Sequence, residues 1–245
     1  MTFPDTTASE PTASDTGASD TSASDTSASR PGRPAARVSV VTVIQHNPDV
    51  PLDRFAGWLG EGDVEVDVVR AWAGDTVPAR PADALIVLGG HMNAHADDVA
   101  PWLPATRALL AAAVADGVPT LGICLGAQLL AAACGGHVQV AAPPGREAEI
   151  VDVRWRGEAA TDRLLAGLAA AGRTAPLPSM HADAIVDLPR GAVWLGSSTM
   201  YPYQAFRLGS AWGLQFHPEA GAATLRGWAQ GYAYTIIDAE DLVTD

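Results

Sequence analysis

The sequence predicts an α/β protein built on a mostly parallel sheet. Strand-like and helix-like segments alternate from residue 37 to residue 136, as they do in right-handed strand–helix–strand units. The first segment, VSVVTVIQH, is a nearly continuous β-branched run, which is typical of a strand buried on both faces. In sheets of this kind, functional residues gather beyond the carboxyl ends of the strands.

The individual elements follow from hydrophobic periodicity and from glycine stops. In the first half we predict strands over 38–46, 64–72, 82–90 and 118–123, and helices over 52–61, 102–117 and 125–136. In the second half, shorter apolar runs between tight turns predict strands over 182–189, 192–198, 203–209 and 211–219, before a last helix over 222–234. No linker interrupts this region, so residues 37–245 are predicted to form one domain.

Residues 1–36 differ from the rest of the chain in composition. Five-residue units such as DTSAS repeat between Asp5 and Ser29, and the segment RPGRPAA follows them. Small, polar and acidic units bury too little apolar area to offset the entropy of ordering the chain. We therefore predict a disordered, acidic, Ser/Thr/Ala-rich tail and linker, either a tolerated low-complexity extension or a spacing or phosphorylatable arm.

Composition argues against several functional classes. A formal net charge of −13 disfavours a nucleic-acid surface, where basic patches are expected. The two cysteines do not make a disulfide framework. No apolar run reaches the roughly 20 residues that span a bilayer, and the segment MTFPDTTASE lacks the pattern of a secretory signal. We expect a cytoplasmic protein that binds neither nucleic acid nor membrane.

The stretch LGICLGAQ places Cys124 between Gly122 and Gly126, at the predicted junction of a strand and a helix. Glycines two residues before and two after a nucleophile permit a sharp turn that presents its side chain. The start of the helix favours a thiolate, and the backbone N–H of Leu125 can form one half of an oxyanion hole. Cys134, in the apolar run LLAAAC, is interpreted as part of the core.

A cysteine nucleophile needs a base, and His217 in LQFHPE is the best candidate. It ends a predicted strand, and in an extended chain Glu219, two residues on, would face the same side. Glu219 could then fix the tautomer of the imidazole and stabilise the imidazolium.

The other histidines give weaker signals. His91, His95 and His137 have no metal-ligand spacing with cysteine or acidic partners, so we expect them in loops or on the surface and predict no metal site. His181 allows two interpretations that the sequence leaves open, a hydrogen-bonded structural histidine or a residue that lines the pocket.

Two of these motifs, GICLGAQ and GLQFHPE, resemble the signatures of the class I, or triad-type, glutamine amidotransferases. LIVLGGHMN is similar to the glycine pair that precedes the cysteine in that family, and PSMHADAIVDLP and YPYQAFRLG resemble segments of its stand-alone, GMP-synthase-like members. The resemblance keeps the family's order from Val38 to Tyr234. It implies the family's fold, a flavodoxin-like three-layer α/β sandwich.

The resemblance also implies catalytic roles. Cys124 would attack the side-chain amide of glutamine, His217 would carry the proton to the departing ammonia, and Glu219 would hold His217. The backbone N–H groups of Gly90 and Leu125 would bind the oxyanion, and water would release glutamate from a γ-glutamyl thioester. Neither a metal nor an organic cofactor is implied.

For substrate binding, the resemblance points to Gln128 and to the main chain around Met180 and His181. The sequence departs from close relatives on the expected pocket rim. His91 stands where they have proline, Met180 where they often have tryptophan, and Ala182 where they have glycine. These departures concern the shape of the substrate more than the triad.

Three functions are compatible with the sequence. The first is a glutamine amidotransferase whose ammonia goes to a separate synthase chain, because no G-x-x-x-x-G-K-[ST] nucleotide loop is present. The second is a γ-glutamyl hydrolase that uses the same triad on γ-glutamyl amines or peptides. The third is a catalytically silent binding or regulatory protein on the same fold. Turnover of glutamine against γ-glutamyl amines separates the first two, and labelling of Cys124 by a glutamine-like electrophile separates both from the third.

Overall fold

The structure is a computed structural model that describes residues 39–62 and 64–231. The tail predicted over 1–36, and the end of the helix predicted over 222–234, lie outside the described residues. The predicted fold class is confirmed, because helices pack on both faces of a large sheet in which five neighbouring strands are parallel. Within the described residues, no helix is long and apolar enough to cross a membrane.

The bounds of the elements are as follows. The strands are β1 (Ser39–Gln45), β2 (Val64–Arg70), β3 (Ala84–Val87), β4 (Thr120–Ile123), β5 (His137–Gln139), β6 (Glu147–Trp155), β7 (Thr174–His181), β8 (Ala184–Asp187), β9 (Val193–Ser197), β10 (Ala205–Leu208) and β11 (Ala211–Leu214). The α-helices are α1 (Arg54–Glu61), α2 (Leu103–Ala115), α3 (Leu125–Ala133), α4 (Ala166–Ala171) and α5 (Ala222–Gly231), and short 3-10 turns span Ala71–Ala73 and Gly157–Thr161.

The parallel half of the sheet has the strand order β2-β1-β3-β4-β11. Successive side chains of β1 point to opposite faces, so Val41 and Val43 pack with α1 while Ile44 packs with α2 and α3. This produces the three layers of the fold. The register sets Leu214 beside Ile123, so the carboxyl ends of β4 and β11 meet at the same edge of the sheet.

The other half of the sheet is antiparallel and continues in the order β10-β9-β6-β7. Strands β6 and β7 are the two longest in the sheet, yet the sequence did not predict them. Pro176 and Pro178 are untypical of a strand, but β7 is the outermost strand of the sheet, where a residue without an N–H is tolerated. Strands β5 and β8 form a separate antiparallel pair.

Candidate active site

Cys124 lies in the turn between β4 and α3, with φ 50° and ψ −106°. A positive φ is uncommon for a residue with a Cβ, and the surrounding structure must hold it. Gly122 and Gly126 make this possible by allowing close backbone contact. A Cβ on Gly126 would collide with the carbonyl oxygen of Val87, and one on Gly122 would lie 2.5 Å from the carbonyl oxygen of Gly126. The glycines therefore let the chain bend sharply enough to present the thiol.

His217 and Glu219 lie beyond the end of β11, and Glu219 sits in a turn rather than in the extended strand that the sequence predicted. The turn still brings the two side chains together, with Nδ1 of His217 2.7 Å from Oε1 of Glu219. Both side chains are almost fully buried. The backbone N–H of His217 donates to the carbonyl of Pro178 at 2.8 Å, and His217 and Cys124 line the same cavity.

The surroundings of His217 raise the pKa of its imidazole from 6.5 to about 10. Burial lowers this pKa, but the charges of Glu219 and Cys124, and hydrogen bonds to both, raise it by more. The imidazole is therefore protonated at neutral pH. A protonated imidazole beside a cysteine is the arrangement that supports a nucleophilic thiolate.

Trp228, on α5, covers one side of His217. The two ring centroids are 4.8 Å apart and the ring planes meet at 62°. The indole N–H donates to the backbone carbonyl of Asp49 at 2.7 Å, which fixes the ring in place. The sequence analysis missed Trp228, since its position in the last predicted helix gives no sign that it would contact His217.

A cavity of about 190 Å³ opens in front of the cysteine. Its lining combines apolar side chains, the backbone of two turns and several polar groups, from the residues Val50, Gly90, His91, Met92, Cys124, Leu125, Gln128, Arg146, Met180, His181, Ala182, Asp183, His217 and Trp228. The volume lies below the roughly 300–1,000 Å³ of pockets for drug-sized ligands. The cavity therefore suits a ligand about the size of an amino acid.

The glycine pair after β3 packs closely against the residues of the site, Gly89 against His217 and Cys124 and Gly90 against Leu125. A Cβ on Gly89 would lie 3.0 Å from Cε1 of His217 and 3.6 Å from Cβ of Cys124. A Cβ on Gly90 would lie 2.7 Å from Cδ2 of Leu125. The structure thus brings Gly90 and Leu125, the two residues predicted to supply the oxyanion hole, together at the cavity wall.

The residues predicted to bind substrate also lie at the cavity. The Gln128 side-chain amide N–H donates to the carbonyl of Asp183 at 2.9 Å and to Oε1 of Gln215 at 3.3 Å. The thiol of Cys124 points to the backbone carbonyl of Met180, with 3.7 Å between sulfur and oxygen. Residues 180–183 therefore form the wall that faces Cys124 across the cavity.

The structure combines the two interpretations that the sequence left open for His181. The ring lines the cavity, and both of its nitrogens are hydrogen-bonded. Nδ1 lies 2.9 Å from the backbone carbonyl of Asp183, and Nε2 lies 3.1 Å from the carboxylate of Glu147. Glu147 escaped the sequence analysis, because it belongs to the unpredicted strand β6.

The rim of the cavity carries a further polar contact between side chains. Nε2 of His91 lies 2.8 Å from the carboxylate of Asp49, which links the loop after β3 to the loop after β1.

Cys134 is partly buried at the C-terminal end of α3 and packs against the main core. Among the described residues, no cluster of three or more His, Cys, Asp or Glu side chains could hold a metal ion.

Comparison with known proteins adds evidence independent of this geometry. The family model "Glutamine amidotransferase class-I" matches residues 57–226. A curated relative, the glutamine-hydrolyzing GMP synthase of Brucella melitensis, is 29% identical over 161 residues, which are 65% of this chain and 30% of that protein. The present chain therefore spans less than a third of the length of that relative.

Two solved structures are also similar. A glutamine amidotransferase from Thermotoga maritima is 28% identical with a TM-score of 0.71, and the match covers 80% of this chain and 83% of that one. A glutamine amidotransferase from Methylobacillus flagellatus is 30% identical with a TM-score of 0.72, over 80% of this chain and 77% of that one.

Proposed function

Because the chain belongs to the class-I glutamine amidotransferase family, we propose that it hydrolyses the side-chain amide of L-glutamine to glutamate and ammonia. The observation that carries the proposal is the buried, hydrogen-bonded His217–Glu219 pair beside Cys124, at a cavity of amino-acid size. A nucleophile, a base and an acid that orients the base are the groups that nucleophilic amide hydrolysis needs.

In the first half of the reaction, the sulfur of Cys124 attacks the amide carbon, and the carbonyl oxygen takes up negative charge. The backbone N–H groups of Gly90 and Leu125 donate to this oxygen, and fixed donors of this kind stabilise a transition state by about 3 kcal/mol. The imidazolium of His217 gives its proton to the amide nitrogen, the carbon–nitrogen bond breaks, and ammonia leaves. A γ-glutamyl thioester remains on the sulfur.

In the second half, His217 is neutral and takes a proton from a water molecule that attacks the thioester carbon. The carbon–sulfur bond breaks, glutamate leaves, and the thiolate–imidazolium pair is restored. Glu219 accepts the Nδ1 hydrogen bond of His217 in both halves, so Nε2 is the nitrogen that exchanges protons with the substrate.

The charges at the cavity suit the amino-acid end of glutamine. Arg146 supplies a positive group for the α-carboxylate, and Asp183 supplies a negative group for the α-ammonium. Gln128 lines the cavity, and its amide N–H is bound to the carbonyl of Asp183, which fixes the side chain in place. The volume of the cavity suits a substrate of the size of glutamine.

We also propose that the ammonia goes to a synthase on a separate chain. This rests on the likeness to the glutamine-hydrolyzing GMP synthase, of which the chain covers 30%.

One observation favours a second candidate, a γ-glutamyl hydrolase. The His91–Asp49 contact occupies the rim at the position where the sequence departs from close relatives. A polar rim could admit the amine portion of a γ-glutamyl amine while the triad works on the same kind of amide bond.

The test measures glutamate release from glutamine and from a panel of γ-glutamyl amines. The wild-type chain is compared with Cys124→Ala and with Cys134→Ala, a matched control that removes the cysteine outside the cavity. We expect glutamine turnover to fall by at least about a thousandfold in the first variant and to be unchanged in the second.

Turnover confined to γ-glutamyl amines would assign the chain to the hydrolases. The same three proteins are treated with a glutamine-like electrophile to measure labelling of each cysteine. A protein that hydrolyses none of the substrates, and whose Cys124 is labelled no faster than Cys134, is catalytically silent, and the proposal is then wrong.

A further inference from the structure

A buried carboxylate lies directly behind the cavity wall. Glu147 is the first residue of β6 and is 1% exposed. Four side-chain donors surround its two oxygens: Oγ of Ser179 at 3.0 Å, Nε2 of His181 at 3.1 Å, Oγ of Ser198 at 2.5 Å and Nε2 of Gln204 at 2.5 Å. The proposed reaction uses none of these groups, so the cluster needs another explanation.

Both ring nitrogens of His181 face oxygen atoms. The backbone carbonyl of Asp183 can only accept, so Nδ1 of His181 carries a proton. Nε2 faces Glu147, and a neutral imidazole there would require the carboxyl group to be protonated. Burial raises the pKa of Glu147, but hydrogen bonds from its neighbours, among them Ser198 and Ser179, hold the pKa below its usual value. The side chains of Ser179, Ser198 and Gln204 donate to the carboxylate whatever the charge of His181. An imidazolium paired with a carboxylate satisfies every donor.

This pair is connected to both sides of the cavity. Glu147 and His181 are register partners in the β6–β7 ladder, so the contact reinforces the end of β7. The carbonyl of Asp183 accepts from His181 and also from Gln128 on α3, each at 2.9 Å. In the same wall, the backbone carbonyl of Met180 accepts from the thiol of Cys124, with 3.7 Å between sulfur and oxygen.

We propose that Glu147 is a positioning residue, which pairs as a carboxylate with the imidazolium of His181 and so holds residues 180–183 as the wall of the glutamine pocket. The proposal rests on the proposed function for its kinetic readout. Its structural content, a doubly protonated His181, does not depend on any activity.

Glutamine at position 147 would break this arrangement although its shape is nearly the same. If its amide nitrogen took the place of the oxygen that faces His181, it would meet the Gln204 amide, which is also a donor. If it took the other place, His181 would keep two protons without a counter-charge in a buried site. Either way the wall loses one of its fixed contacts.

The kinetic experiment compares Glu147→Gln with Glu149→Gln, a control that removes an exposed carboxylate from the same strand. We expect E147Q to raise KM for glutamine about ten- to a hundredfold, with kcat within about threefold of wild type. Alkylation of Cys124 by iodoacetamide, which does not use the amino-acid pocket, should stay at the wild-type rate. E149Q should match wild type in all three. An unchanged KM in E147Q overturns the proposal.

The second measurement covers the case in which E147Q fails to fold. Nitrogen NMR of the wild-type chain, with the His181 signals assigned through His181→Asn, reports whether each ring nitrogen carries a proton. We expect both nitrogens of His181 to be protonated at neutral pH. A neutral ring would overturn the proposal even if glutamine is hydrolysed, and a doubly protonated ring would support it even if glutamine is not a substrate.

Discussion

Cys124 and His181 line the same cavity, but they are held by different means. Cys124 depends on backbone contacts that two glycines make possible, all within the five residues from 122 to 126 and the neighbouring strand. His181 depends on Glu147, whose other partners lie 32 to 57 residues from it in the sequence. One side of the cavity is thus specified locally and the other by a buried side-chain network, so the two sides should respond differently to substitution.

The largest effect is expected from Gly126→Ala on the cysteine side. Its Cβ would collide with the backbone carbonyl of Val87, which cannot move without disrupting the β3–β4 pairing. We expect the free energy of unfolding, measured in urea, to fall by more than about 3 kcal/mol. Gly57→Ala is the control, because Gly57 is exposed in α1 with open space around it. It should stabilise the chain by about 0.5–1 kcal/mol, and equal stabilities of the two variants would contradict the backbone argument.

The next effect concerns the side-chain contacts of the triad. Glu219→Gln removes the charge that faces Nδ1 of His217 while keeping the size of the side chain. We expect kcat for glutamine to fall by about a hundred- to ten-thousandfold, since the imidazolium loses its partner. The chain should remain folded at neutral pH, in contrast to Gly126→Ala. A kcat within threefold of wild type would show that Glu219 does not orient His217.

The same variant should change the pH dependence of stability. The pKa of His217 is raised from 6.5 to about 10 in the folded chain, so its contribution to stability is complete below pH 6.5 and disappears as the pH rises to about 10. Glu219→Gln lowers the folded pKa. The difference in unfolding free energy between wild type and variant should therefore narrow across that range, and a constant difference would count against the charge interaction.

A smaller effect is expected from Trp228→Phe, which keeps an aromatic ring on His217 but removes the N–H that binds the carbonyl of Asp49. We expect a loss of about 1–2 kcal/mol in unfolding free energy and a kcat reduced several-fold. Trp58→Phe, at an exposed position on α1, is the matched control and should leave both quantities unchanged. Identical behaviour of the two variants would mean that the indole N–H does not hold the ring in place.

The smallest effect is expected at the rim. His91→Ala removes a contact with Asp49 in which both side chains are partly exposed, so the unfolding free energy should change by less than about 1 kcal/mol. The ratio of turnover of γ-glutamyl amines to that of glutamine should change by a few-fold if the rim selects the substrate. If this ratio of turnover stayed constant, His91 would have no part in selecting the substrate.

The contrast between the two sides also explains what the sequence could predict. The sharp turn at Cys124 and the parallel strands could be predicted from the sequence, because glycine spacing and β-branched runs are local signals. The cavity wall formed by residues 180–183 could not be predicted. It follows β7, whose Pro176 and Pro178 fit a strand only at the edge of a sheet, and the edge position is not visible in the sequence. Glu147 and its partners share no sequence pattern that links them. The pairing of His217 with Glu219 was predicted, but from an extended geometry that the turn replaces.

The two prolines of β7 limit the pairing of this edge of the sheet with a strand of another protein. Pro178 directs its carbonyl away from β6, to the backbone N–H of His217, and neither proline can offer an N–H to an incoming strand. At the opposite edge of the sheet, β2 exposes the carboxylates of Glu65 and Asp67. Both edges therefore resist strand-to-strand aggregation, and another protein would contact side-chain surfaces here without adding a strand to the sheet.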